Sequence, residues 1–185
     1  MSVDFQNRSL LYSFLSTFII RRLILHAITE KLQLHLSLSF QMLENVIESC
    51  PDTFWVAQEE NESIWKRVLH TLESIDHWMV DFSDYHFKSL FDTYTAEMDQ
   101  TCSSPPLSKK ELLSYKDLIK PKIDRFFSEM DDVRLTEHSS VHPATTFLDI
   151  ILSQIRHIQM NVGYFNQILN SSDLKSPTWL GYNES

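Results

Sequence analysis

The sequence predicts an all-α protein, and three observations carry that prediction. The chain spends only 2 glycines in 185 residues, whereas tight-turn β folds need glycine wherever φ is positive. Four segments place apolar residues at the three- and four-residue spacing of one helix face. One connection between them, residues 83–107, is much longer than the other two and is long enough to cross a bundle. Apolar residues make up 43% of the chain, enough for one sizeable core, so one domain over 31–185 with an N-terminal extension over 1–30 is expected.

The extension comes first. "LLYSFLSTFIIRRLILHA" (10–27) is strongly apolar but is interrupted by Arg21 and Arg22. A membrane-spanning helix needs roughly 20 apolar residues, so no membrane span is expected. A secretory leader carries its positive charge before the apolar run, and here the arginine pair follows it. The expectation is therefore an extra helix packed on its own domain or on a second copy, which makes a homodimer the expected assembly.

The four helical segments follow in order. "KLQLHLSLSFQMLENVIES" (31–49) is stopped by Pro51. "NESIWKRVLHTLESIDHWMVDF" (61–82) carries Ile64, Val68, Leu72, Ile75 and Met79 on one face. "SKKELLSYKDLIKPKIDRFFSEMD" (108–131) opens with a capping box, Ser108 with Glu111 three residues on; Pro121 should bend it or split it in two. The last, 142–172, has the stripe Phe147, Ile151, Ile158, Val162, Phe165, Leu169. The tail "SPTWLGYNES", with Trp179, is expected to pack as a coil over the end of the helices.

Charge and cysteine content exclude some functions. With 16 basic and 25 acidic residues the net charge is −9, and no basic block appears, so no nucleic-acid partner is expected. Cys50 and Cys102 are too few for a disulfide framework and fit a reducing cytoplasm. Cys50 is expected to be a half-buried residue at a helix end. No phosphate loop, GxSxG elbow or CxxC pair is present.

The polar residues inside the helical segments are more informative. In "RHIQMNVGYFNQIL" (156–169), His157 and Asn161 lie one turn apart on one face. Two histidines at this spacing would be a familiar metal-ligand pair, but an asparagine offers only a weak neutral oxygen, and a hydrogen-bonded polar pair at a helix edge is the plainer reading. His70, Glu73 and His77 share a face nearly opposite the Ile64–Met79 stripe, which by itself reads as a solvated face. His26, His35, His138 and His142 are not expected to be ligands. Gly163 is costly in mid-helix, by roughly 1 kcal/mol against alanine.

Two stretches resemble a known family. "SIWKRVLHTLESIDHWMVDF" (63–82) looks like the second helix of DinB/YfiT-like proteins, with a Trp, a His five later, then Thr-Leu. "DIILSQIRHIQMNVGYFNQILN" (149–170) is similar to their last helix, Arg-His-x-Gln-x-His-x-Gly. "KKELLSYKDLI" (109–119) and "TWLGYN" (178–183) fit as well, so the resemblance covers roughly 31–183. It implies a four-helix bundle with one long crossover between the second and third helices. It also implies one divalent metal, zinc or nickel, on three histidines. His70 matches the first ligand position and His157 the second; Asn161 stands at the third, either as a weak ligand or as a hydrogen-bond donor to substrate. Glu73, one turn from His70, could fill in for the missing ligand, and Glu73 and Tyr164 would line the pocket as substrate-binding residues. The resemblance implies close approach of another helix at Gly163. The implied function is that of a DinB-like protein with a weakened or vestigial metal site, as a metal-dependent thiol transferase or hydrolase acting on a small molecule or a low-molecular-weight thiol. The alternative is a metal-free helical bundle with a binding or structural role.

Overall fold

The structure is a computed structural model, and it describes residues 26–56, 58–59, 62–80, 87–91 and 105–181. The apolar run 10–25 and Cys102 lie outside these residues, so the expected packing of the run, on its own domain or on a second copy, lies outside them too.

The described chain is mostly helical. Helix α1 spans Ala27–Ser49, α2 is a single turn at Asp52–Trp55, α3 spans Ile64–Trp78, α4 spans Lys109–Ser128 and α5 spans Phe147–Ser171. A 3-10 turn at Arg134–Thr136 precedes α5. The extended structure among the described residues is minor. Gln58–Glu59 (β1) and Glu62–Ser63 (β2) form a two-residue antiparallel ladder, and His138 bridges to Thr146.

The helices begin and end where local chemistry directs. Helix α1 starts at Ala27, inside the expected extension, because a carboxylate from far along the chain receives its first amides. Asp132 accepts from the backbone N of Ile28 and Thr29, the latter at 2.9 Å, and from Thr29 Oγ1. Pro51 follows its C-cap residue Cys50 and cannot continue the helix. The Ser108–Glu111 capping box opens α4 in both directions, side chain to backbone and back. Pro121 does not split α4, which runs through it as one helix. The proline is exposed, so its ring and the carbonyl it leaves unbonded face water rather than the core. The last helix starts at Phe147, later than the sequence pattern suggests, because Thr146 and Asp149 form a second capping box.

Four long helices, α1, α3, α4 and α5, share one core. Helix α1 packs on α5 and α4, and α3 packs on α4 and α5. All five residues of the Ile64–Met79 stripe and all six of the Phe147–Leu169 stripe are buried. Pairwise contacts give the helix directions. Glu44 pairs with Lys116 at 2.6 Å, and the Cys50 carbonyl accepts from Lys109, so α1 and α4 run antiparallel. His77 meets His142, Ser74 meets Gln154 and Arg67 meets Asn161, so α3 and α5 also run antiparallel. The start of α1 meets Asp132, close to the 3-10 turn that packs on α5, and Ser39 meets Gln159. Helices α1 and α5 are therefore parallel, and it follows that α3 and α4 are parallel as well. Trp55 Nε1, at the end of α2, donates to the Leu107 carbonyl, just before α4, at 2.7 Å.

Two local expectations are corrected, and the one for the tail is met. Cys50 is fully buried rather than half-buried, and burial pushes its thiol up to about 11; it is a packing residue. The described part of the tail is coil, as expected, and Leu180 packs it against the core while Trp179 is exposed. Gly163 makes no close approach among the described residues: it lies on the outer face of α5, where an added Cβ would meet nothing within 4 Å.

This last finding fixes the sign of a substitution. Gly163→Ala should stabilise the protein by about 0.5–1 kcal/mol, because it removes the entropic cost of a mid-helix glycine without a clash. Chemical denaturation with circular dichroism measures it, and a destabilised variant would show that a helix does pack there.

Candidate functional site

Helix α3 has no exposed residue along its 15 positions. The His70–Glu73–His77 face is therefore not a solvated one: Glu73 is buried and both histidines are half-buried. The amphipathic stripe identifies only the most apolar side of this helix. The opposite side is covered by α5 at His70, by residues 87–91 at Glu73 and by the loop before α5 at His77.

His70 and His157 meet across the α3–α5 contact, with ring centroids 5.1 Å apart in an edge-to-face arrangement. Asn161, one turn beyond His157, is 1% exposed. Its Nδ2 donates to the His157 carbonyl at 2.9 Å, and its Oδ1 accepts from Arg67 Nη1 at 3.2 Å. A carbonyl can only accept and a guanidinium can only donate, so the two partners fix the orientation of the amide. The Arg67 guanidinium also lies 4.0 Å from the centroid of the Tyr164 ring, a cation–π contact. Tyr164 thus joins the cluster through Arg67.

Glu73 is held elsewhere. Its Oε1 accepts from Ser89 Oγ, and burial raises its carboxyl above the usual range. Its described partner is on the 87–91 segment, not on α5.

The electrostatics of the pair follow from this packing. Burial lowers the pKa of His157 below its ordinary value, and the neighbouring His70 and Arg67 lower it further. The His157 imidazole therefore resists becoming a cation.

The donor set can be tested against zinc or nickel. Two imidazoles bound to one ion at about 2.0–2.1 Å put their ring centroids roughly 5 Å apart in a tetrahedral site, so the spacing of His70 and His157 suits two ligands. The third position does not. The only oxygen Asn161 offers is bonded to a guanidinium, which places a positive charge where a divalent cation would need a donor. As the side chains stand, this trio offers zinc or nickel two imidazoles and no free third donor. Among the described residues, no group of three His, Cys, Asp or Glu side chains could hold a metal ion.

Arg67 is the residue that sequence reasoning missed. It lies three positions before His70, on the same helix face, and that spacing is the signal that could have found it. A second cluster was also missed. His142 Nε2 lies 3.2 Å from the His77 carbonyl, and its ring stacks on Trp78 with centroids 4.1 Å apart. This contact anchors the loop before α5 to the end of α3.

Comparison with known proteins gives no matching family model, no similar curated protein and no similar solved structure. No described helix is long and apolar enough to cross a membrane.

The depressed pKa of His157 gives a pH prediction. The unfolded chain takes up a proton on this residue near pH 6.5, while the folded chain takes it up only at a lower pH. Its contribution to stability is thus fully present above that value and is lost as pH falls through the lowered folded one. The melting temperature should drop between about pH 7 and pH 5, and His157→Gln should flatten that drop. Glu73, raised by burial, acts in the opposite sense, so the comparison must be wild type against variant. An unchanged slope in His157→Gln would refute the assignment.

Proposed function

We propose that the chain is a DinB-like four-helix bundle, with one long crossover between its second and third long helices, that works without a resident divalent ion as a binding protein. Four antiparallel or parallel helix contacts support the bundle. A parallel α3 and α4 need a connection that returns the chain to the end it left, and residues 79–108 are the longest connection between long helices in the described order. The resemblance of 63–82 and 149–170 to the second and last helices of DinB-like proteins supports the family.

One observation carries the metal-independent reading: Arg67 Nη1 sits on Asn161 Oδ1. In this reading the guanidinium holds the position that a third histidine and a metal would share. Arg67, Asn161, His157 and Tyr164 then form a closed polar contact between helices, with His70 against His157. Thiol transfer or hydrolysis of the kind the resemblance implies relies on the ion to generate its nucleophile, and it is not part of this proposal. A homodimer built on residues 1–30 remains compatible with it.

Zinc titration by calorimetry, on protein prepared without a metal-binding tag, tests the proposal. Wild-type protein should bind zinc with a Kd no tighter than about 10 μM. Asn161→His should tighten binding by at least about tenfold, and adding Arg67→Gln should tighten it again. His157→Ala should abolish what binding there is. Sub-micromolar zinc binding by the wild type, or equal affinity in wild type and Asn161→His, would overturn it.

A further inference from the structure

A second polar site lies on the α4 side of α3. It is a cleft of about 450 Å3 between α3, residues 87–91 and α4, within the range of about 300–1,000 Å3 typical of small-molecule sites. Its floor is set by Asp76, which is almost fully buried. Both carboxylate oxygens of Asp76 are engaged: Oδ2 accepts from Tyr115 OH at 2.9 Å, and Oδ1 accepts from Lys122. Asp76 is thus neutralised by its own neighbours and is poorly placed to recruit a cation.

One wall is built by the 87–91 segment. Ser89 Oγ donates to Glu73 and accepts from the backbone N of Phe91 at 3.1 Å, while the Phe91 ring meets Tyr115 edge to face. These contacts tether the segment to α3 and α4 and hold the residues on either side of Ser89, Lys88 and Leu90, at the cleft. Lys88 has no ion-pair partner among the described residues. Across the cleft stands Leu118 of α4.

Two features of this lining run against the rest of the molecule. The chain as a whole carries a net charge of −9, yet the cleft is lined by two lysines and one aspartate, a local excess of one positive charge. Leu90 and Leu118 are 53% and 57% exposed, so apolar surface faces water beside that charge. A ligand that matches both has one negative charge and an apolar body. A multiply charged anion would exceed the single positive charge and meet Asp76; a cation would meet the lysines.

We propose that this cleft binds a small monocarboxylate with an apolar body, with Lys88 taking the carboxylate and Leu90 and Leu118 covering the apolar part. The site lies apart from the His70–His157 contact and does not depend on how that contact is read.

Calorimetric titration of the full chain with octanoate, and with octanamide as its neutral counterpart, tests the proposal. Octanoate should bind saturably, and octanamide should bind about tenfold more weakly or not at all. Lys88→Met should weaken octanoate by about tenfold and leave octanamide unchanged. Leu118→Ser should weaken both ligands. Both changed side chains are exposed, and an unchanged melting temperature verifies that the variants fold. The proposal is overturned if octanoate shows no saturable binding below about 10 mM, if octanoate and octanamide bind equally, or if Lys88→Met binds octanoate like the wild type.

Discussion

A helix that is covered on every side must satisfy its polar side chains inside the protein, and α3 imposes that constraint on everything around it. Transferring an unpaired polar group out of water costs several kcal/mol, and an unpaired charge costs more. Helix α3 carries Arg67, Glu73, Ser74 and Asp76 in addition to its histidines. Their partners lie on three different neighbours. Arg67 goes to Asn161 and Ser74 to Gln154 on α5, Asp76 to Tyr115 and Lys122 on α4, and Glu73 to Ser89. These bonds are directional, whereas apolar packing is not, so they select one register of α3 against α5 and one against α4. The two candidate sites are the two flanks of this one helix.

Much of this architecture was legible in the sequence, because burial on one dominant face leaves a periodic trace. Ile64, Val68, Leu72, Ile75 and Met79 mark α3, and Phe147 to Leu169 mark α5, by spacing alone. The Ser108–Glu111 box was readable because both partners are local. The Thr146–Asp149 box obeys the same rule, but His142 and Pro143 ahead of it suggested an earlier start. Pro121 marked a break that the helix absorbs on its wet side. Periodicity could not show that α3 is covered on its polar side too, because a polar face pointing at water and one pointing at a partner helix have the same sequence pattern.

The site was legible in part. The helical spacing placed His157 and Asn161 on one face, and the family resemblance placed His70 opposite them; His70 and His157 do meet. What the spacing could not show is where the amide of Asn161 turns, since its partner Arg67 comes from a helix 94 residues away in sequence. An asparagine where the resemblance expects a histidine looks like a weakened ligand when read alone. Beside a guanidinium, it is a hydrogen-bond acceptor with a cation already in place. Likewise, Asp76, Lys88 and Lys122 come from three separate segments, and no local pattern joins them.

The cap on α1 has a consequence for the order in which the chain is made. The first amides of this helix are received by Asp132, 103 residues beyond Thr29. During synthesis the helix can coil early, but its leading turn stays unfastened until 103 further residues have emerged. By then α3 and α4 have also been made. A contact of such long sequence separation forms late, since the entropy of closing the intervening loop must be met first. The first described helix is therefore among the last to be secured, and a nascent chain halted before residue 132 would carry α1 with a frayed start.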